Sequence, residues 1–431
     1  MISAVAARPT GSDSTGVALL RLAAVGAVDD GKSTLIGRLL HDADQLTEDQ
    51  LAALEMANRA RGYPGMNLSF ATDGLRAERE RGITIDVAYR YAVTPRRKLV
   101  IADCPGHLEY TRNMATGAST ADLALVVVDI SRGLREQTRR HTALALLFGV
   151  RHLLVAVNKM DLVEWDEDRF LLVARQMEEL ASLLGGAQVQ AVPVAALYGD
   201  NVVERSSSAP WYRGPTVLEA LEETPTSTFA AEGAGGFRLP VQSVSTRSDG
   251  SVEIAGMLTG GRLRCGDAVV VLPEGRHTTV TSLATLTAPV ASALPPLSIS
   301  VTLADGSRLR RGNLIASAID PPPVRRDQLT TVCWFADQPL KAGQRFLIKH
   351  TTKVTDGEVV AIESGLDMES LRLTAAAQLG ANDIGVVRWR LADPIAADPY
   401  PNSRVTGSLI VIDPKTNVTL GAAMVGAPTL R

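Results

Sequence analysis

The sequence predicts an α/β domain built on a doubly wound, mostly parallel sheet, followed by two all-β barrels. Three observations point there. Up to about residue 225, short apolar runs (LLRLAAV, KLVIADC, LALVVVDI, HLLVAVNK, VQAVPVAAL) alternate with helix-like segments such as HTALALLFG. That alternation is expected of a parallel sheet covered on both faces. From Phe237 to about Ile319 the helical period stops, and short strands (FRLPVQSVS, GSVEIAGML, AVVVLPEG, HTTVTSL) separated by Gly and Asp suggest a small barrel. After PPPVRRDQ a second strand-rich set follows: TTVCWF, QRFLIKH, GEVVAIES, IGVVRWRL and GSLIVID.

These patterns divide the chain into a disordered lead-in (1–18), the α/β domain (19–225), a linker by composition (226–236, within TPTSTFAAEGAGG) and two barrels (237–320 and 326–431). A length of 431 residues exceeds one ordinary core. Lys and Arg number 44 against 47 Asp and Glu, a net charge of −3, which excludes a polybasic nucleic-acid or membrane-surface binder. The pairs Arg96-Arg97, Arg139-Arg140, Arg310-Arg311 and Arg325-Arg326 are scattered and read as solvated surface charge. No run approaches the roughly 18 apolar residues of a spanning helix, and the N-terminus lacks the apolar core of a secretory signal. Cys104, Cys265 and Cys333 have no metal-ligand spacing and read as buried apolar residues in a reducing cytoplasm.

Within the first domain, GAVDDGKST (26–34) lies between the strand-like LLRLAAV and the helix-like LIGRLL. Its pattern G-x-x-x-x-G-K-S is a phosphate-binding loop. Gly26 and Gly31 let the backbone wrap, and the loop N–H groups, including those of Asp29 and Asp30, face the phosphates together with the following helix N-terminus. Lys32 would reach the β- and γ-phosphates, Ser33 would ligate Mg²⁺, and Thr34 would add to the cradle. A Gly-rich turn before an ordinary helix is the alternative, and the flanking strand and helix argue against it.

Two further motifs follow in order. Asp103-Cys-Pro-Gly-His107 comes after the strand KLVIA, where Asp103 suits water-mediated Mg²⁺ coordination and the Gly106 N–H suits the γ-phosphate. Asn158-Lys-Met-Asp161 is N-K-x-D. The Asp161 carboxylate accepts from the N1–H and 2-amino groups of guanine; adenine would leave it unpaired. The Lys159 stem would cover the base, and Asn158 would tie this segment to the phosphate loop. Between the phosphate loop and Asp103, ERERGITI (78–85) places Thr84 where a first switch supplies a hydroxyl to Mg²⁺ and an N–H to the γ-phosphate. Together the motifs predict a P-loop GTPase domain holding GTP or GDP with Mg²⁺.

RGITI, D-x-P-G-H and N-K-x-D followed by two barrels resemble the translation-factor superfamily of GTPases. DGLRAERERGITID looks much like elongation factor 1α, whose members carry aminoacyl-tRNA, and that alternative stays open. VDDGKSTLIGRLL, IADCPGHLEYTRNMATGAST, VPVAALYGDNVV, QLGANDIGVVRWRLADPIAADPY and GSLIVIDPKTNVTLGAAMV are instead similar to the large GTPase subunit of bacterial sulfate adenylyltransferase. That resemblance runs from about Leu19 to Val425.

It implies a GTPase that couples hydrolysis to formation of adenosine 5′-phosphosulfate and pyrophosphate on a separate, smaller catalytic subunit. No nucleic-acid or membrane partner is implied. Some relatives carry a C-terminal adenylylsulfate kinase, so such a domain, fused or separate, belongs with the expected partners. His107 stands where Ras-type GTPases carry a water-orienting glutamine, so the expected catalytic set is His107, Lys32, Thr84 and Gly106. Ala196 and Leu197 would lie near guanine, with Ala195 replacing the family's usual Ser. Cys104 replaces a commoner Thr or Ala and touches no inferred chemistry.

Overall fold

A computed structural model describes residues 18–60, 68, 86–106, 111–225, 236–246, 248, 250–305 and 308–428. The chain forms two compact units, the α/β domain and the pair of barrels.

The α/β unit is built on six strands: β1 (Ala18–Gly26), β2 (Ala88–Val93), β3 (Arg97–Asp103), β4 (Leu123–Asp129), β5 (His152–Asn158) and β6 (Gln188–Pro193). Their order is β2-β3-β1-β4-β5-β6. Only β2 runs antiparallel; all other pairings are parallel. Every residue of β4 is buried, which is why its sequence is apolar throughout rather than alternating. The accompanying helices are α1 (Lys32–Asp42), α2 (Glu48–Ala60), α3 (Thr111–Ala118), α4 (Glu136–Leu147), α5 (Glu167–Leu183) and α6 (Val217–Glu223). Leu35, Ile36 and Leu39 of α1 pack with Leu20, Leu22, Leu125 and Leu154 of the sheet in one core. β1 lies between β3 and β4, so the chain leaves β1 at a reversal of strand order, where α/β sheets open a crevice at the carboxyl ends of their strands.

In the first barrel, strands 268–272, 314–317, 238–246, 252–258, 297–303 and 276–284 pair in that order, and 268–272 also pairs with 276–284, closing the ring. The second barrel closes in the same way through 345–350, 408–412, 419–425, 324–334, 384–396 and 353–367. Closure removes the free sheet edges. The barrels share a buried joint. Arg238 donates from Nε and Nη2 to the two carboxylate oxygens of Asp398, each at 3.0 Å. The Thr406 hydroxyl also donates to Asp398, at 2.6 Å. Val270, Leu272, Leu314 and Ala316 pack with Ala396 beside them.

Two expectations are corrected. Arg97 is buried rather than solvated: its guanidinium donates to the Thr224 carbonyl, and burial lowers its pKa. Cys265 is exposed, whereas Cys104 and Cys333 are buried as expected. The lead-in before Ala18 and linker residues 226–235 lie outside the described residues. Among the described residues no helix is long and apolar enough to cross a membrane.

Candidate nucleotide site

The loop after β1 turns through two left-handed residues, Asp29 at φ 68° and Gly31 at φ 93°. A Cβ on Gly31 would lie 2.3 Å from Asn158 Nδ2, so the position excludes every side chain. α1 begins at Lys32 with no side-chain cap and no acidic residue in its first turn. α4 also lacks a side-chain cap but carries Glu136 in its first turn. α5 is capped by Asp166, and α6 carries a full capping box from Thr216 and Glu219. A helix end without such caps keeps its leading N–H groups and positive dipole for an external anion. Lys32, Ser33 and Thr34 stand there.

Asp30 behaves differently from its neighbours. The residue is fully buried and its side chain accepts from the Ala27 N–H at 3.2 Å, so the carboxylate braces the loop from within. Burial pushes its carboxyl above the usual range, and the Ala27 hydrogen bond only partly offsets this.

Asp103, at the end of β3 in register with Ala24 of β1, pairs with the Lys32 ammonium inside the cradle. Gly106 follows close to the loop: a Cβ there would lie 3.2 Å from the Gly26 carbonyl oxygen. The Gln137 amide, from the first turn of α4, donates to the Gly106 carbonyl. Arg135 donates to the Val28 carbonyl at 3.2 Å. The Cys104 thiol, wholly buried beside this segment, is pushed up to about 12 by burial and stays protonated. Thr84 and His107 lie outside the described residues.

The second half of the crevice is assembled from β5 and the segment after β6. Asn158 Nδ2 donates to the Asp30 carbonyl at 2.9 Å, while its Oδ1 accepts from the Ala196 N–H at 3.0 Å. One side chain thereby joins the phosphate loop, the N-K-x-D segment and the 195–197 loop. In this arrangement the Ala196 N–H expected near guanine is engaged by Asn158. Lys159 is left-handed at φ 63°, and its ammonium donates to the Asp29 carbonyl and to Asp129 Oδ2, each at 2.7 Å. Asp161 lies in the first turn of a short 3-10 helix, Met160–Val163, and is half-buried. The carbonyls of Ala196 and Leu197 accept from Arg38 of α1, at 3.3 and 2.6 Å. Leu197 itself is exposed.

Three contributors escaped sequence reasoning: Asp129, Arg38 and Gln137. Asp129 carried a signal, since it ends β4 level with Asn158 on β5, where such sheets place their chemistry. Arg38 and Gln137 lie on helices and reach partners far along the chain, so no local pattern marks them.

The phosphate-loop motif and the N-K-x-D segment are thus joined side by side through Asn158 and Lys159. The model for the elongation factor Tu GTP-binding domain matches residues 18–227, and that for the GTP-eEF1A C-terminal domain-like family matches residues 328–426. Sulfate adenylyltransferase subunit 1 of Aeromonas salmonicida is 46% identical over 409 residues, covering 94% of this chain and 86% of the relative. The chain belongs to the sulfate adenylyltransferase subunit 1 family. That family also includes subunit 1 of Vibrio cholerae, 44% identical over 94% of this chain. The bifunctional enzyme CysN/CysC of Mycobacterium tuberculosis is 46% identical over 94% of this chain and 67% of its own length. The solved structure of sup35 complexed with GDP shares 21% identity and covers 96% of this chain, at a TM-score of 0.43. As a GTPase of the subunit 1 family, the chain binds GTP and GDP.

Proposed function

We propose that this chain hydrolyses GTP to drive formation of adenosine 5′-phosphosulfate and pyrophosphate from ATP and sulfate on a separate, smaller catalytic subunit in the cytoplasm. The observation that carries this reading is kinship at 46% identity over 94% of the chain to relatives named as subunit 1 of that enzyme. The adenylyl transfer is strongly uphill and needs an energy source.

In this reading Gly26, the backbone of Asp29 to Gly31, Lys32, Ser33 and Thr34 take the phosphates, and Gly106 takes the γ-phosphate through its N–H. Asp161 reads guanine, with the Lys159 stem across the base and Ala196 and Leu197 beside it. His107 orients the attacking water: its oxygen bonds to the γ-phosphorus as the bond to the β–γ bridging oxygen breaks. The oxygen donors Ser33 and Asp103 flank the loop and suit a hard cation such as Mg²⁺, joined by Thr84. Among the described residues no cluster of three His, Cys, Asp or Glu could hold a metal, so phosphate oxygens would complete the shell. Bound Mg²⁺ would neutralise the phosphate charge. Lys32 would turn from Asp103 to the phosphates, freeing that carboxylate for the shell.

The second barrel argues against tRNA carriage. Asp327, Arg390, Glu358 and Arg345 stand opposite one another across four neighbouring strands. Arg390 meets Asp327 at 3.1 Å and Arg345 meets Glu358 at 3.2 Å. A row of alternating sign neutralises itself and offers a phosphate backbone no basic stripe. A separate or fused adenylylsulfate kinase would consume the product.

The test is GTP hydrolysis by the chain alone and with the smaller subunit, with and without ATP and sulfate, while adenylylsulfate is followed. Turnover that rises with the partner, with product beyond the GTP-free equilibrium, is expected. Hydrolysis indifferent to the partner but responsive to ribosomes and charged tRNA would overturn the reading.

A further inference from the structure

We infer that Asp129 is a positioning residue for guanine-nucleotide binding, acting through Lys159. The inference rests on the reading that the crevice at Asn158–Asp161 receives the base.

Lys159 needs to be held. It is a long, flexible side chain on a left-handed backbone, and its ammonium would otherwise sample many rotamers or extend into water. The structure fixes it at two oxygens, the Asp29 carbonyl and Asp129 Oδ2. The carbonyl is a neutral acceptor, whereas Asp129 supplies the opposite charge, and charge-assisted hydrogen bonds are the stronger kind.

Asp129 is itself immobilised. Its side chain is 2% exposed. Its other oxygen, Oδ1, accepts from the Ser131 N–H at 2.9 Å and the Ser131 hydroxyl at 2.6 Å. With one oxygen bound to its own turn, the other meets the ammonium at 2.7 Å, while the Arg132 guanidinium stands farther from it, at 3.8 Å. Burial alone would raise this carboxyl, but the Lys159 and Ser131 hydrogen bonds hold it below the usual range, so it stays ionised. The lysine stem between backbone and ammonium therefore spans from β5 to the phosphate loop. An apolar face laid in that way is suited to stack on a purine ring.

Asp129 would not touch nucleotide. Its contribution is to remove the conformational freedom that Lys159 would otherwise lose on binding, an effect shared by GDP and GTP.

The test is a double-mutant cycle on the full chain, using Asp129→Asn, Lys159→Ala and the pair, with GDP affinity and dissociation rate as readouts. Asp129→Asn should weaken GDP by about tenfold, the loss expected when one hydrogen bond to a charged group is removed, and Lys159→Ala, which also loses the Asp29 contact and the stem, by at least as much. The pair should be no worse than Lys159→Ala alone. If the two losses multiply, Asp129 acts on its own turn rather than through Lys159, and the inference fails. Wild-type affinity in Asp129→Asn overturns it as well. Wild-type affinity in Lys159→Ala would instead sink the underlying placement of guanine. Asp129→Ser, which keeps a polar group for the turn, repeats the cycle should the Asn variant not fold.

Discussion

The Lys32 ammonium is paired with the Asp103 carboxylate inside the phosphate cradle, the two side chains only 7% and 2% exposed. Two ends of the proposed phosphate chemistry thus neutralise each other. Exchange of partners, Lys32 to phosphate and Asp103 to the cation shell, would accompany nucleotide binding. Lys32→Ala should abolish GTP turnover and, together with it, GTP-stimulated adenylylsulfate formation in the complex with the smaller subunit. Full stimulation in that variant would refute coupling through this site.

Asp161→Asn should move base preference from guanine to xanthine, because an amide can donate to the xanthine 2-oxo group where the carboxylate accepts from a 2-amino group. Competition between GTP and XTP for hydrolysis measures this. Unchanged GTP selectivity would remove Asp161 from base recognition.

Arg38 links α1 to the loop beside the base through the carbonyls of Ala196 and Leu197. Arg38→Ala should weaken GDP by about tenfold, and Arg38→Lys, which cannot span both carbonyls, should recover only part of the loss. Titration with a fluorescent GDP distinguishes the three proteins; equal affinities would make the clamp irrelevant to nucleotide.

His141 of α4 is fully buried. Burial, with positive charge from Lys32 and Arg140, holds its imidazole at about 4 instead of 6.5. As pH falls below 6.5 the unfolded chain takes up a proton that the folded ring refuses until about 4. Stability is therefore lost as pH falls through that window, by about 3 kcal/mol in all. His141→Gln should flatten the dependence of melting temperature on pH there. A slope unchanged from wild type would assign the acid sensitivity to other groups.

Arg238 and Asp398 form a buried pair between the barrels. Arg238→Ala leaves a buried carboxylate without its cation, held only by the Thr406 hydroxyl, and should cost about 3 kcal/mol, whereas replacing both residues by Met should cost far less. Chemical denaturation of the two variants decides it, and equal losses would show that packing rather than charge holds the joint.

The fold class was legible in the sequence because its signals are local. The all-buried β4 reads as an unbroken apolar run, the barrel strands alternate between Gly and Asp turns, and the phosphate loop and N-K-x-D segment are each a few contiguous residues at a strand end. Those features determined a nucleotide-binding α/β domain and two barrels, and they single out the residues proposed to face phosphate and base.

What the tertiary structure alone decided is how those residues are held. Lys159 meets Asp129 across 30 positions, Arg38 meets Leu197 across 159, and Arg238 meets Asp398 across 160. Such pairs form only after the sheet and barrels have brought distant segments together, so no spacing rule announces them. Burial is decided in the same way. Arg97 looked like surface charge and Cys265 like core because residue type sets only an average preference. The neighbours that enclose the one and leave the other in water are contributed by strands and helices elsewhere in the chain.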